Sequence, residues 1–173
     1  MRDRTRSEEA SRIITVVLFA IYAVLLIGII LFKFPFQYQL TEAGRQLNLV
    51  PFAGSPSDPR GLAVGEDIEN VLIFVPLGIY LTMLRRQWLV GKRILLIAAT
   101  SVAFEVIQFA FAIGRADITD VVCNTLGGVV GIGLYALSSA ILKSRTNRVF
   151  TILALIVTVV ALAFFAFLRI HSK

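Results

Sequence analysis

The sequence has few of the side chains on which most soluble enzymes depend. It contains one cysteine, Cys123, and one histidine, His171, so an internal disulfide and a Cys/His zinc site are both excluded. Charged residues make up 16% of the chain, against about 25% in a typical soluble domain. Hydrophobic residues make up 57%, and the mean hydropathy is +0.83. The composition therefore indicates an integral membrane protein.

Long runs with few charges set the predicted architecture. About 20 apolar residues in a helix cross the ~30 Å hydrocarbon core at 1.5 Å per residue. The sequence predicts an all-α, polytopic membrane helical bundle with five transmembrane helices. The predicted helices are TM1 at 13–32, TM2 at 67–84, TM3 at 94–113, TM4 at 118–142 and TM5 at 149–168. A basic N-terminal segment, 1–12, precedes them, and 33–66 forms one long loop.

The net charge of +6 is distributed in a way that predicts topology. Eleven of the 17 Lys and Arg residues lie in segment 1–12 and in the short connections 85–93 and 143–148. By the positive-inside rule, these segments lie in the cytoplasm, and the C-terminus lies outside. We therefore expect a multi-pass protein of the cell membrane whose environment is the lipid bilayer. Because the basic residues flank apolar runs, nucleic acid is not an expected partner.

Polar residues interrupt the apolar helices near one membrane face. Glu105 lies 12 residues beyond Arg93, about 18 Å from the inner edge, and Asn124 lies about 10 Å from the outer edge. Ionisable side chains at such depths are costly unless they face protein or water. The predicted polar cluster, at similar depth in the outer leaflet, comprises Asn70, Glu105, Gln108, Arg115, Asp117, Asp120 and Asn124.

Small residues and one proline predict where these helices pack. Gly127 and Gly131 form a G-x-x-x-G pattern, which permits close approach of membrane helices. Gly128 and Gly133 add further small positions. In the second span, Pro76 and Gly78 are also read as packing and structural residues. Pro76 removes one helical hydrogen bond, which membrane helices tolerate.

The motifs in this region resemble those of the VanZ-like membrane proteins. They are NLVPF at 48–52, N-x-x-x-F-x-PLG at 70–78, E-x-x-Q at 105–108 and R-x-D-x-x-D-x-x-x-NT-x-GG at 115–128. The resemblance covers about residues 47–142, which makes the fifth helix an addition to a VanZ-like core. The family's named member is associated with teicoplanin resistance. The resemblance thus implies a role in cell-envelope biology or glycopeptide resistance, and it implies no particular reaction.

Three hypotheses account for the polar cluster. In the first, it is an outer-leaflet site that binds or acts on a lipid-linked envelope component or an amphiphilic antibiotic. Glu105, Asp117 and Asp120 would then serve as acid/base groups or as oxygen ligands of a divalent cation. Arg115 would meet a carboxylate or phosphate. No other cofactor is expected, no metal site is assigned, and without an activated Ser, Cys or His no catalytic residue can be named.

The second hypothesis is a proton-coupled transporter in which Glu105 carries the proton. The third is a structural or partner-binding protein whose polar residues only clamp helices together. Such interactions contribute about 0.6–2 kcal/mol each, and neutral Gln or Asn normally suffices for them. The presence of three carboxylates favours a site over a clamp.

Overall fold

The protein folds into long helices, with very little other regular structure. The structure is a computed structural model that describes residues 2–32, 47–52, 60–113 and 116–171. The helices are α1 (Arg2–Phe32), α2 (Arg60–Leu84), α3 (Val90–Phe111), α4 (Ile118–Leu142) and α5 (Thr146–His171), with a 3-10 turn at Lys143–Arg145. The predicted all-α class is therefore confirmed.

Four helical stretches in the described part of the chain are long and apolar enough to cross a membrane. They are Glu9–Leu31, Val64–Leu84, Val90–Phe111 and Ile118–Phe164. The last has 47 residues and runs through α4, the 3-10 turn and α5. Lys143 in that turn has a φ of 48°, which interrupts regular helix geometry. The five separate crossings remain a prediction, as does the orientation in the membrane.

The second helix starts earlier than the predicted span. Its apolar part, 71–84, is too short to cross a bilayer, and α2 begins at Arg60. The acidic stretch 66–69 is therefore part of the same helix as Asn70. Pro76 lies inside this helix, where it cannot donate a hydrogen bond to the carbonyl of Leu72.

The chain divides into two compact units, and Leu26–Ala136 forms one of them. Its core includes Phe74 of α2 and Phe104 of α3, whose rings meet edge to face with centroids 6.4 Å apart. Ile97 of α3 is also fully buried in this unit. Aromatic pairs of this geometry add about 0.5–1.5 kcal/mol beyond the area they bury.

Glycines bring the backbones of α2 and α4 into direct contact. A Cβ added to Gly78 would meet the carbonyl oxygen of Gly128. Added to Gly127 or Gly131, it would meet the carbonyl oxygen of Val71 or Val75, respectively. Any larger residue at these positions would force the helices apart.

The other two glycines of α4 have different surroundings. A Cβ on Gly128 would lie 2.6 Å from Cδ1 of Ile97, so this glycine also accommodates α3. Gly133 has no neighbouring atom within 4 Å of such a Cβ among the described residues. The interface therefore does not include Gly133, although the sequence pattern had suggested a further small packing position there.

A two-stranded parallel pair, which the sequence analysis did not predict, joins the long loop to the start of α4. It consists of β1 (Leu47–Asn48) and β2 (Ala116–Asp117), with Leu47 opposite Ala116 and Asn48 opposite Asp117. α3 ends just before β2 with Ala112 in the left-handed conformation, at a φ of 54°. This turn lets the chain leave α3 and enter β2.

The other unit comprises Met1–Leu25 and Leu137–Lys173. Within it, the hydroxyl groups of Thr15 on α1 and Thr151 on α5 lie 3.2 Å apart and share a hydrogen bond. Thr15 also donates to the carbonyl of Ser11, as threonine commonly does inside membrane helices. Most apolar side chains of α5 are exposed, which suits a surface that faces lipid.

Candidate functional site

The site is built around the first turn of α4. Asp117 immediately precedes this helix, and its Oδ1 accepts a hydrogen bond from the backbone N–H of Thr119 at 2.9 Å. Asp117 thus caps the helix, satisfying one of the N–H groups that a helix N-terminus leaves without an internal partner. Its negative charge also interacts favourably with the helix dipole. The carboxylate is buried, at 6% exposure.

Glu105 of α3 holds the backbone of Asp117. Its Oε2 accepts the Asp117 backbone N–H at 2.8 Å, in a buried hydrogen bond. Hydrogen bonds to a charged acceptor contribute about 1.5–3 kcal/mol, roughly twice those between neutral groups. Two of the predicted acidic residues therefore lie side by side, where α3 ends and α4 begins.

The long loop reaches the same point through Asn48. Its Nδ2 donates to Oδ2 of Asp117 at 3.0 Å, while its Oδ1 accepts the backbone N–H of Val50 at 3.1 Å. A second bond runs from the backbone N–H of Phe52 to Oγ1 of Thr119, at 3.0 Å. Both oxygens of Asp117 are thus engaged.

Asn48 and Thr119 were not among the predicted site residues. The signal for Asn48 was present, because it opens the NLVPF motif, but its distance from Asp117 in sequence hid the contact. Thr119 carried no comparable signal, since a threonine next to a helix start is common. In three dimensions, both connect the loop to α4.

Two more hydrogen bonds join the helices below this point. Asn70 of α2 donates through Nδ2 to Oδ1 of Asp120 at 2.9 Å. Asn124, one turn further along α4, donates through Nδ2 to Oγ of Ser101 on α3 at 2.8 Å. Both bonds are buried, so α4 is tied to α2 at one position and to α3 at the next. Ser101 was not among the predicted site residues.

Gln108 links the site to the end of α1. Its Nε2 donates to the backbone carbonyl of Ile30 at 2.9 Å. Its Oε1 is buried and has no hydrogen-bond partner among the described residues, and the same holds for Oδ1 of Asn124. Both side chains are 1% exposed, and an unsatisfied buried acceptor costs about 1–3 kcal/mol. These two oxygens are acceptors that a donor-rich group could satisfy.

A further carboxylate, Asp67 of α2, adds negative charge to this region. It repels the carboxylates of Glu66 and Asp117 electrostatically. The buried thiol of Cys123 lies within the electrostatic reach of Asp67, Asp117 and Asp120. Asp67 therefore lies close enough to interact electrostatically with the acidic groups at the start of α4, although it was not predicted as a site residue.

The arrangement brings six of the seven predicted polar residues into one unit: Asn70, Glu105, Gln108, Asp117, Asp120 and Asn124. The seventh, Arg115, lies outside the described residues. Among the residues that are described, no group of three or more His, Cys, Asp and Glu side chains could hold a metal ion. The site consists instead of separate carboxylate acceptors, each of which is oriented by a hydrogen bond from a neighbouring residue.

Comparison with known proteins gives the family. The sequence model of the VanZ/LLP1 family matches residues 19–142, which is most of the chain. The chain belongs to the VanZ-like family. It is 36% identical over 159 residues to Protein VanZ of Enterococcus faecium, a match that covers 89% of this chain and 94% of that protein. No solved structure matches it.

The family match extends further than the motifs did. It begins at residue 19, within α1, and ends at the last residue of α4. α5 lies beyond it. With four helical stretches suited to crossing a bilayer among the described residues, this VanZ-like protein is assigned to the membrane.

Proposed function

We propose that this VanZ-like protein uses the Glu105–Asp117 region as an outer-leaflet site that binds, or acts on, an amphiphilic or lipid-linked component of the cell envelope. The same site would also bind amphiphilic glycopeptides. In cells, this binding would contribute to teicoplanin resistance. The family membership supports the cell-envelope setting, and the side chains of the site support the chemistry.

One observation carries the proposal: the carboxylates of Glu105, Asp117 and Asp120 are buried together where otherwise apolar helices meet. Glu105 accepts from a backbone N–H, and Asp120 accepts from the amide of Asn70. A glutamine or asparagine oxygen could accept either bond without the cost of burying charge. The mutual repulsion of Asp67 and Asp117 adds to that cost. We attribute the retained negative charge to a ligand that interacts with these carboxylates.

The position of the site fits an amphiphile. Its polar atoms lie in the first half of α2, in the C-terminal half of α3 and in the first two turns of α4, which are otherwise apolar helices. An acyl chain would extend along their lipid-facing surfaces, where side chains such as Leu72 and Val106 are exposed. The headgroup would then meet the carboxylates. A soluble polar ligand would gain nothing from those apolar surfaces.

The test measures how much each candidate ligand stabilises the wild-type protein and two variants of Glu105. Glu105→Gln removes the charge and keeps an oxygen that can accept the Asp117 N–H, whereas Glu105→Ala also leaves that N–H without its acceptor. Thermal unfolding of the detergent-purified protein is measured with lipid-linked envelope precursors, glycopeptides and divalent cations. A ligand of the folded state at 100 times its Kd adds about 2.7 kcal/mol of apparent stability.

We expect at least one ligand class to stabilise the wild-type protein and to have no effect on Glu105→Gln, while the unliganded Glu105→Gln protein unfolds within a few degrees of wild type. In cells, teicoplanin susceptibility is compared between wild type and Glu105→Gln at matched membrane abundance. Loss of protection with unchanged abundance is the expected result. Equal ligand shifts in wild type and Glu105→Gln would refute a role for the charge.

A structural clamp is the second candidate, and the bonds Asn70–Asp120 and Ser101–Asn124 favour it, because each joins two helices. In that case, Glu105→Gln and Glu105→Ala should lower stability in proportion to their effect on cellular function, and no ligand should shift either protein. The two variants therefore separate the candidates.

A further inference from the structure

The connection between α2 and α3 has a basic surface around its tryptophan. Trp88 lies in this connection, with the guanidinium carbon of Arg85 5.6 Å and the ammonium of Lys92 4.4 Å from its ring centroid. Both distances fall within the range of cation–π interactions. Arg85 and Lys92 are exposed, so their charges remain available on the surface.

The backbone beneath this surface is fixed by a buried arginine. Nη2 of Arg93 donates to the carbonyls of Arg85 at 3.1 Å and Arg86 at 2.8 Å. Arg93 is only 6% exposed, and no acceptor in the described part of the chain bonds its buried Nε. Arg93 thus shapes the loop rather than serving only as a topological charge. The Nε–H of Arg93 is thus a buried donor without a described acceptor next to this connection.

Apolar side chains project from the same connection. Leu89 is 81% exposed and Val90 is 53% exposed, although they stand between Trp88 and Lys92 in sequence. α3 begins at Val90 without a side-chain cap at Leu89, so its first N–H groups are not satisfied by a side chain. Cations, an amphipathic ring and exposed aliphatic residues together match the interface of a bilayer.

We propose that residues 85–93 form a binding surface for the headgroups of anionic phospholipids. Arg85, Arg86 and Lys92 would contact the lipid phosphates, Trp88 would lie at headgroup depth, and Leu89 would enter the acyl region. The partner is a lipid because free phosphate gives exposed Leu89 and Val90 nothing to contact. The predicted topology places this surface on the cytoplasmic leaflet, whose negative surface potential attracts basic segments.

The experiment measures retention of phosphatidylglycerol by the full-length protein in mixed detergent micelles, using native mass spectrometry. The loop variant is Arg85→Gln with Lys92→Gln, both at exposed positions. The matched control is Lys143→Gln with Arg145→Gln, which removes the same charge from another basic connection. Circular dichroism checks that all three proteins remain helical.

Each basic residue near an anionic surface changes affinity by about fivefold, so the loop variant should need roughly thirtyfold more phosphatidylglycerol for half-saturation. The control should differ from wild type by less than about threefold. An equal loss in both variants, or in neither, overturns the proposal, because binding would then reflect net charge or lie elsewhere. Competition by millimolar glycerol phosphate would also overturn it, since it would identify a free-phosphate site.

Discussion

Replacement of Gly131 by alanine tests the direct backbone contact between α2 and α4. A Cβ at this position would meet the carbonyl oxygen of Val75, and it would lie 3.0 Å from the carbonyl carbon of Val75 and 3.1 Å from the nitrogen of Ile79. These are backbone atoms of α2, which cannot be relieved by a change of rotamer. α2 and α4 must therefore separate to accommodate the methyl group.

The magnitude follows from two opposing effects. Alanine in place of glycine favours a helix by about 1 kcal/mol. Overpacking costs about 1–3 kcal/mol, and we expect the upper end here because the clash is with backbone. Gly131→Ala should therefore lower the free energy of unfolding by about 2 kcal/mol.

Gly133→Ala is the matched control on the same helix. It gains the same helix propensity and meets no described atom within 4 Å. The propensity term cancels between the two variants, which leaves a difference of about 3 kcal/mol. For a chain of this length, that corresponds to roughly 6–12 °C in the melting temperature.

The assay can use the single cysteine of the chain. Cys123 is buried in α4, so a thiol-reactive fluorogenic dye labels it only when the packing around α4 opens. Labelling is followed during heating of the detergent-purified variants. If Gly131→Ala and Gly133→Ala melt at the same temperature, the proposed α2–α4 backbone contact is wrong.

Three other predictions test the site and the topology. Asn70→Leu removes the donor to Asp120 and should destabilise the protein by about 1–3 kcal/mol, measured with the same thiol assay. Unchanged stability would show that the Asn70–Asp120 hydrogen bond does not stabilise the fold. Asn48→Ala should increase proteolysis within the long loop with a loss of only about 1 kcal/mol, because it releases β1 and leaves the helices paired; an unchanged cleavage rate would show that the loop is held elsewhere. Reporters inserted at Trp88 and Gly54 should indicate cytoplasm and exterior respectively, and the opposite pattern would invert the orientation.

Much of the fold could be read locally. The charge-free runs located the helices because a helix satisfies its own backbone hydrogen bonds wherever its side chains are apolar. Ser101, Glu105 and Gln108 recur at helical spacing, so one polar face of α3 was predictable. The structure shows each of the three buried.

The hydrogen bond between Asn48 of the long loop and Asp117 could not be predicted from local sequence. Asn48 and Asp117 are separated by 69 positions, and nothing local to either specifies the other. The two-residue strands that align them are too short to give a periodic pattern. Only the folded arrangement, in which the start of α4 lies beside the loop, brings them together.

Composition and helical period are properties of neighbouring residues, so they were enough to establish a helical membrane protein with carboxylates among its apolar helices. Tertiary structure alone decided which partner each polar group has and which glycines lie between helices. Gly131 and Gly133 are two residues apart and chemically identical, yet Gly131 touches α2, whereas a Cβ on Gly133 would meet no described atom within 4 Å. That difference depends on the rotation of α4 against its neighbours, which packing fixes and local sequence does not.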